Sequence, residues 1–382
     1  MAVKVSTRSA IPPFLVMEIL AQATARARAG ADVIHLEVGQ PADPAPEAVR
    51  EAAIRALRHD PLGYTEATGL PALRARIARH YGERHGVDVD PSRVVVTTGS
   101  SAAFLLTTLA CFDVGDRVLV PEPGYPAYRH TLSALGVLPV SMRVDDSTRW
   151  LPTPAHVRRA AGLVVASPSN PTGTSLDRSA LAALAGACRA HDVVLVSDEL
   201  YQGLSFGEPP PTALAVDDDA VVISGFSKTW AMTGWRLGWM VAPAALVGPV
   251  ERLAQSLLLA PPTLPQLVAA AAFEAHLDAS AARYAASRRL LVDGLRALGL
   301  DGFVPPDGAF YLWVDVSALT ADSVAWCRRL LDDTGVALTP GVDFDPERGH
   351  RFVRISFAGA PDDVGEALRR LGSWIADGRG RG

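Results

Sequence analysis

Lys228 is the residue of this chain best placed to do chemistry. It follows Ser227, is trailed by Gly234 and Arg236, and comes after a short apolar run, Ala220 to Ile223, that reads as a buried strand. Lysine is rare in this chain, and Phe226, Trp230, Trp235 and Trp239 all lie close to this one in sequence. The plain alternative, a solvated lysine on a helix face, does not account for so apolar a setting. An amine held in such a setting has a lowered pKa and can form a Schiff base with a carbonyl compound. Arg236 adds a planar cationic fork and Ser227 a hydroxyl, both suited to hold an anion nearby.

A second anion-binding element lies upstream. Gly99, Ser100 and Ser101 follow an apolar run and open a helical pattern, so their backbone N–H groups can converge on an anion at a helix N-terminus. Alone, such a tripeptide is a weak signal. Asn170 lies in SPSNPTG, a segment rich in turn formers, where a cis bond before Pro171 is expected. Asp198 ends the run VVLVS, where the plain reading is a cap on the next helix.

Taken together, these segments resemble the class I and II aminotransferases, pyridoxal-phosphate enzymes of fold type I. The resemblance spans nearly the whole chain: LEVGQPADPAP from Leu36, GYTEATGLPALRARIA from Gly63, VVVTTGSSAAF from Val94, DRVLVPEPGYPAY from Asp116, SPSNPTG from Ser167, SDELY from Ser197, the lysine segment, PDGAFYLWVD from Pro306 and VRISFA from Val353. Any one piece is weak, but nine in the family's order are not a coincidence.

The resemblance implies a role for each candidate. Lys228 would form the Schiff base with pyridoxal 5'-phosphate and carry the proton, while Asp198, kept at a low pKa, would hold the ring nitrogen protonated. Tyr201 and Asn170 match the donors to the ring hydroxyl oxygen, and Tyr125 the aromatic ring stacked on the pyridine face. Gly99, Ser100, Ser101, Ser227 and Arg236 match the phosphate cradle. Tyr64 matches a tyrosine that reaches the phosphate from a second subunit, implying a homodimer with shared active sites. Arg354 matches the arginine that grips the substrate carboxylate, with Arg351 as its competitor, and Gly39 lets the backbone approach that carboxylate. Tyr128 reads as structural, and Ile11 and Phe14 as lid residues.

The implied reaction moves an amino group from an L-amino acid to a 2-oxo acid by a ping-pong route. Other chemistry on the same scaffold, a C–S β-lyase or a cyclopropane-carboxylate synthase, shares the cofactor residues. An aminotransferase-like ligand domain of a transcription regulator is the non-enzymatic alternative; such regulators carry a winged-helix domain ahead of this fold, and here the resemblance already begins at Leu36. Some bacterial aspartate aminotransferases have a lysine two residues after the glycine matching Gly99. This chain has Ser101, a departure that weakens an aspartate assignment and leaves neutral or aromatic amino donors equally expected.

The elements that must position these residues follow from the pattern. Continuous apolar runs at Val94–Val96, Val118–Val120, Leu163–Ala166, Val193–Val196, Val221–Ile223 and Trp239–Val241 read as strands covered on both faces. Helical patterns between them, such as Ala103–Cys111 and Ser179–His191, predict an α/β fold with a mostly parallel sheet, whose ligands bind beyond the strand ends. After about residue 270 come a long helical stretch, Ala275–Leu298, and short strands near Phe310–Val314 and Phe352–Phe357. With 382 residues, two domains are expected: a large one over 46–275 and a smaller α+β one from 1–45 and 276–382.

Composition bounds the partners. A formal net charge of -5 with no long basic block gives no reason to expect a nucleic-acid partner. The apolar stretch Ile11–Ala23 carries Glu18 and Gln22 and lacks a signal-peptide pattern, and no run reaches membrane length. Cys111, Cys188 and Cys327 are widely spaced, and neither they nor the histidines show metal-ligand spacing, so no metal site is expected and the compartment reads as a reducing cytoplasm.

Overall fold

The computed structural model of the chain describes residues 3–275 and 277–381. In chain order the strands are β1 (Ile34–His35), β2 (Val94–Thr97), β3 (Arg117–Glu122), β4 (Leu138–Arg143), β5 (Gly162–Ala166), β6 (Val194–Asp198), β7 (Val221–Gly225), β8 (Gly238–Val241), β9 (Tyr311–Asp315), β10 (Val336–Ala337), β11 (Thr339–Pro340) and β12 (Phe352–Ser356). Strands β2 to β8 form one seven-stranded sheet in the order β2-β8-β7-β6-β5-β3-β4. Within it β8 runs antiparallel to both neighbours and the remaining pairs are parallel. The six runs picked out in the sequence all lie in this sheet. A seventh strand, β4, lies at its edge.

The central strands are buried along both faces because their side chains alternate between two cores. Val96, Leu163, Val165 and Trp239 face one core, and Val95, Val164, Val196 and Met240 the other. Among the helices that bear on the site, α1 is Leu15–Arg28, α2 Pro71–His85, α3 Gly99–Cys111, α4 Pro126–Ala134 and α5 Arg178–Ala190. Local signals set their ends: Asp177 accepts the N–H of Ala180 at the start of α5, and Gly86, left-handed at φ 66°, closes α2. The expected helix at 275–298 runs as α6 over Asp278–Ala297. His276, inside that expected stretch, lies outside the described residues.

A second layer is built from both ends of the chain. Strand β12 lies between β11 and β9, antiparallel to each, and β1 pairs with β10 in parallel. A separate core unites them, with Ile34 and Leu36 packed among Leu312, Ile355 and Trp374. Helix α1 joins this layer through Ile19 and Ala23, which pack on Leu331 and Ala337.

Candidate active site

Three neighbouring parallel strands, β5, β6 and β7, end on the same side of the sheet, and their following residues bring Asn170, Asp198 and Lys228 together. The second layer closes over them with Gly39 and Arg354. The resulting cleft has a volume of about 320 Å³. Ser100, Ser101, Tyr125, Tyr201, Ser227 and Arg236 also line it.

The loop bearing Lys228 is held from below by its aromatic neighbours. Phe226 lies 5.0 Å from Trp239 and 5.2 Å from Trp230, which in turn meets Phe273 at 5.1 Å. Burying each such ring contributes on the order of 2–3 kcal/mol, so the loop is anchored by packing and the lysine is free to point the other way. Lys228 Nζ donates to the carbonyl of Gly39 at 2.7 Å. Burial pulls its pKa down to about 8, helped by Arg354 and Arg236 and opposed by Asp198. About a tenth is therefore a neutral amine at pH 7, far more than for an ordinary lysine.

Asp198 accepts the hydroxyl of Tyr128 at 2.5 Å and the N–H of Leu200 at 3.1 Å. Burial nevertheless raises its pKa above the usual carboxylate value, against those two bonds and the charge of Lys228. This corrects the expectation of a low pKa: in the protein alone, desolvation outweighs the donors. Tyr128 is likewise corrected from a structural residue to one that touches the site's carboxyl.

Tyr201 shares a hydroxyl–hydroxyl bond of 2.9 Å with Tyr311, a residue the sequence reading passed over although it lies in PDGAFYLWVD. Burial raises both phenols well above their ordinary range or in that direction. Gly39 is explained by the same tyrosine, since a Cβ there would fall 1.6 Å from the Tyr311 hydroxyl oxygen.

Arg354 is 4% exposed. Its guanidinium lies between the rings of Tyr311, at 4.4 Å, and Phe344, at 4.7 Å. It donates to Asn170 Oδ1 at 3.0 Å, to Thr339 Oγ1 at 3.3 Å and to the carbonyl of Glu37, while its Nε has no partner. None of those acceptors is charged. A buried cation bonded only to neutral groups is a ready site for a carboxylate. Arg351, its competitor, faces outward and bonds to Asp315.

Arg236 has a left-handed backbone at φ 52°, as does Gly99 at φ +77°. A Cβ on Gly99 would lie 2.6 Å from Arg236 Nη2, so glycine lets the helix start and the guanidinium share one corner. Gly99 itself, expected to hold the phosphate, is not among the residues that line the cleft. The bond before Pro171 is cis, as expected, and so are those before Pro123 and Pro168.

Two expectations find no place in the cleft of a single chain. Tyr64 is 88% exposed and lies away from it. Of the expected lid residues, Ile11 is exposed and Phe14 packs 6.2 Å from Tyr125, whereas Val16 and Met17 of α1 line the cleft. Among the described residues there is no cluster of three metal-ligating side chains and no helix long and apolar enough to cross a membrane.

Comparisons with known proteins place nearly the whole chain in one family. The family model for aminotransferase class I and II matches residues 31–371. A valine–pyruvate aminotransferase of Mycobacterium tuberculosis is 50% identical, the match covering 97% of this chain and 98% of the relative. The crystal structure of an aminotransferase from the same organism superposes with a TM-score of 0.95 at 49% identity, covering 98% of this chain and 100% of the other. Thermus thermophilus aspartate aminotransferase with maleate superposes at 0.92 with 32% identity, covering 97% and 100%. The chain belongs to the class I and II aminotransferases, and it transfers an amino group to a 2-oxo acid.

Proposed function

We propose that the cleft binds pyridoxal 5'-phosphate, the cofactor on which class I and II aminotransferases depend, and that Lys228 anchors it and carries the proton. The carrying observation is the buried Lys228 amine, 2.7 Å from the Gly39 carbonyl in a cleft that Asp198 and Arg354 also line. When bound, the cofactor supplies an electron-withdrawing ring that takes up the electron pair released at the substrate Cα. The residues present fit it: the Lys228 amine, a carboxyl at the strand end, and a glycine corner beside Arg236.

Each side chain then has one task. Asp198 would pair with the ring nitrogen, a positive partner that lowers its pKa and keeps it ionised. Asn170 and Tyr201 would donate to the ring oxygen, and Tyr125 would cover one ring face. Ser100, Ser101, Ser227 and Arg236 would hold the phosphate, with Gly99 giving the room. Arg354 would grip the substrate carboxylate beside Gly39, leaving Lys228 Nζ to move a proton at Cα. Replacing Lys228 with Ala should abolish the visible band that the cofactor owes to its link with the lysine, and nearly all turnover. A variant that transaminates near the wild-type rate would overturn the assignment.

The amino donor is proposed to be neutral and aliphatic. Lys228, Arg236, Arg354 and Asp198 all have tasks, and Val16, Met17 and Val38 are among the other lining residues. The relative named for valine and pyruvate supports the same reading. Activity with L-valine should exceed that with L-aspartate.

Tyr64 supports a homodimer with shared sites. It is exposed next to Gly63, whose carbonyl accepts from Thr263, and Leu257 to Leu259, shortly before Thr263 in sequence, form an exposed apolar run. We also propose the division into a large domain over 46–275 and a small one from 1–45 and 276–382, and a cytoplasmic location, in keeping with free Cys111, Cys188 and Cys327.

A further inference from the structure

Helix α1 begins without a cap of its own. The residue at its N-cap position is Phe14, which makes no side-chain hydrogen bond. The missing acceptor comes from the far end of the chain: Asp343 Oδ1 accepts the N–H of Leu15 at 3.1 Å, and Oδ2 that of Val16 at 3.0 Å. Asp343 is 3% exposed, and a carboxylate at a helix N-terminus is favoured by the orphan donors and the dipole together. Its main chain is tied as well, since the Asp343 carbonyl accepts from Arg129 of α4. Phe14 fixes the approach to this point, its ring 5.1 Å from His130 and 6.2 Å from Tyr125.

The turn held in this way carries Val16 and Met17, which line the cleft. Farther along, α1 is secured by Ile19 and Ala23 against Leu331 and Ala337. Met17 itself is 55% exposed, so burial of its own side chain does little to fix the first turn. Two bonds to one carboxylate do that instead.

We propose that Asp343 is a positioning residue for donor selectivity: by holding the first turn of α1, it keeps Val16 and Met17 as a fixed wall against the substrate side chain. The inference rests on the proposed transamination with neutral donors in this cleft. Asp343→Asn keeps the shape but retains one acceptor oxygen and no charge. Loss of an N-cap changes a helix-end equilibrium by roughly five- to tenfold.

The test uses the holoenzyme with L-valine and L-alanine as donors. Wild-type enzyme measured alone decides whether neutral donors are used at all, which is a separate question. In Asp343→Asn, KM for L-valine should rise roughly five- to tenfold. The kcat and the cofactor absorbance should stay close to wild type, and the preference for L-valine over L-alanine should shrink. Hydrogen exchange at the Leu15 and Val16 amides should quicken by a similar factor, and Val16→Ala and Met17→Ala should reproduce the lost preference. Faster exchange with an unchanged KM would reduce Asp343 to a structural cap and overturn the proposal, as would unchanged exchange. If Asp343→Asn does not fold, Val16→Ala and Met17→Ala decide alone, and unaltered selectivity in both overturns it.

Discussion

Replacing Tyr128 with Phe removes one hydroxyl while leaving a ring to pack against Phe104 and Tyr125. The lost bond, 2.5 Å long, is the first of the influences that lower the Asp198 pKa against burial. A hydrogen bond to a charged group contributes about 1.5–3 kcal/mol, and about 1.4 kcal/mol corresponds to one pKa unit. Because the bond favours the ionised form, its loss raises the Asp198 pKa further and disfavours ionisation by about ten- to a hundredfold. If the ionised carboxyl is the working form, as proposed, the acidic limb of kcat/KM moves to higher pH. Below that limb the variant should be slower by about ten- to a hundredfold, while its plateau at higher pH stays close to wild type. The assay is kcat/KM against pH for the same donor, with the cofactor's absorbance followed in parallel. An acidic limb superimposable on the wild type would refute the reasoning, because it would mean that Asp198 does not feel the bond.

Cofactor-stripped enzyme should recombine with pyridoxal phosphate faster as the pH rises, with a midpoint near 8, where the Lys228 amine loses its proton; a midpoint close to the ordinary lysine value would contradict the burial argument. Glu199, whose Oε2 is buried without a partner, is raised by burial to about pKa 8. Its unfolded form ionises first, so stability should fall as the pH rises from about 4.5 toward about 8. Glu199→Gln should flatten that slope in thermal melts, and a slope equal to wild type would count against it. Mixing Tyr64→Phe chains with Lys228→Ala chains under subunit exchange creates one site lacking both groups and one with both intact. If Tyr64 acts across the interface, activity should rise above the sum of the two parents; no gain, or an active monomer in sedimentation, would end the shared-site proposal.

What the sequence revealed followed burial. Strands β2, β3, β5, β6, β7 and β8 could be read because they are buried on both faces and so appear as unbroken apolar runs. Edge strand β4 could not: its exposed Leu138 and partly exposed Pro139 leave no continuous run. The start of α1 was hidden because apolar residues run from Ile11 onward, and the group that selects Leu15 as its first residue is Asp343. Helix α3 begins at Gly99, as the reading of Gly99, Ser100 and Ser101 as a helix opening expected, four residues ahead of its apolar pattern. Asn170, Asp198, Tyr201, Lys228 and Arg354, read from the family motifs, do line the cleft. Tyr128 and Tyr311 were not assigned to the site, because their roles depend on partners 70 and 110 positions away that only the folded chain brings near.

The bond from Arg354 to the carbonyl of Glu37 also bears on when a newly made chain becomes active. It joins residues 317 positions apart, and Lys228 reaches back 189 positions to Gly39. During synthesis the sheet and its lysine can form well before Arg354 has left the ribosome. A product truncated before β12 would keep the Lys228 amine but lack Arg354 and the strand between β9 and β11. Arg354 is thus among the last parts to be completed, so a partly made chain exposes Lys228 before the cation proposed to grip the substrate carboxylate is in place.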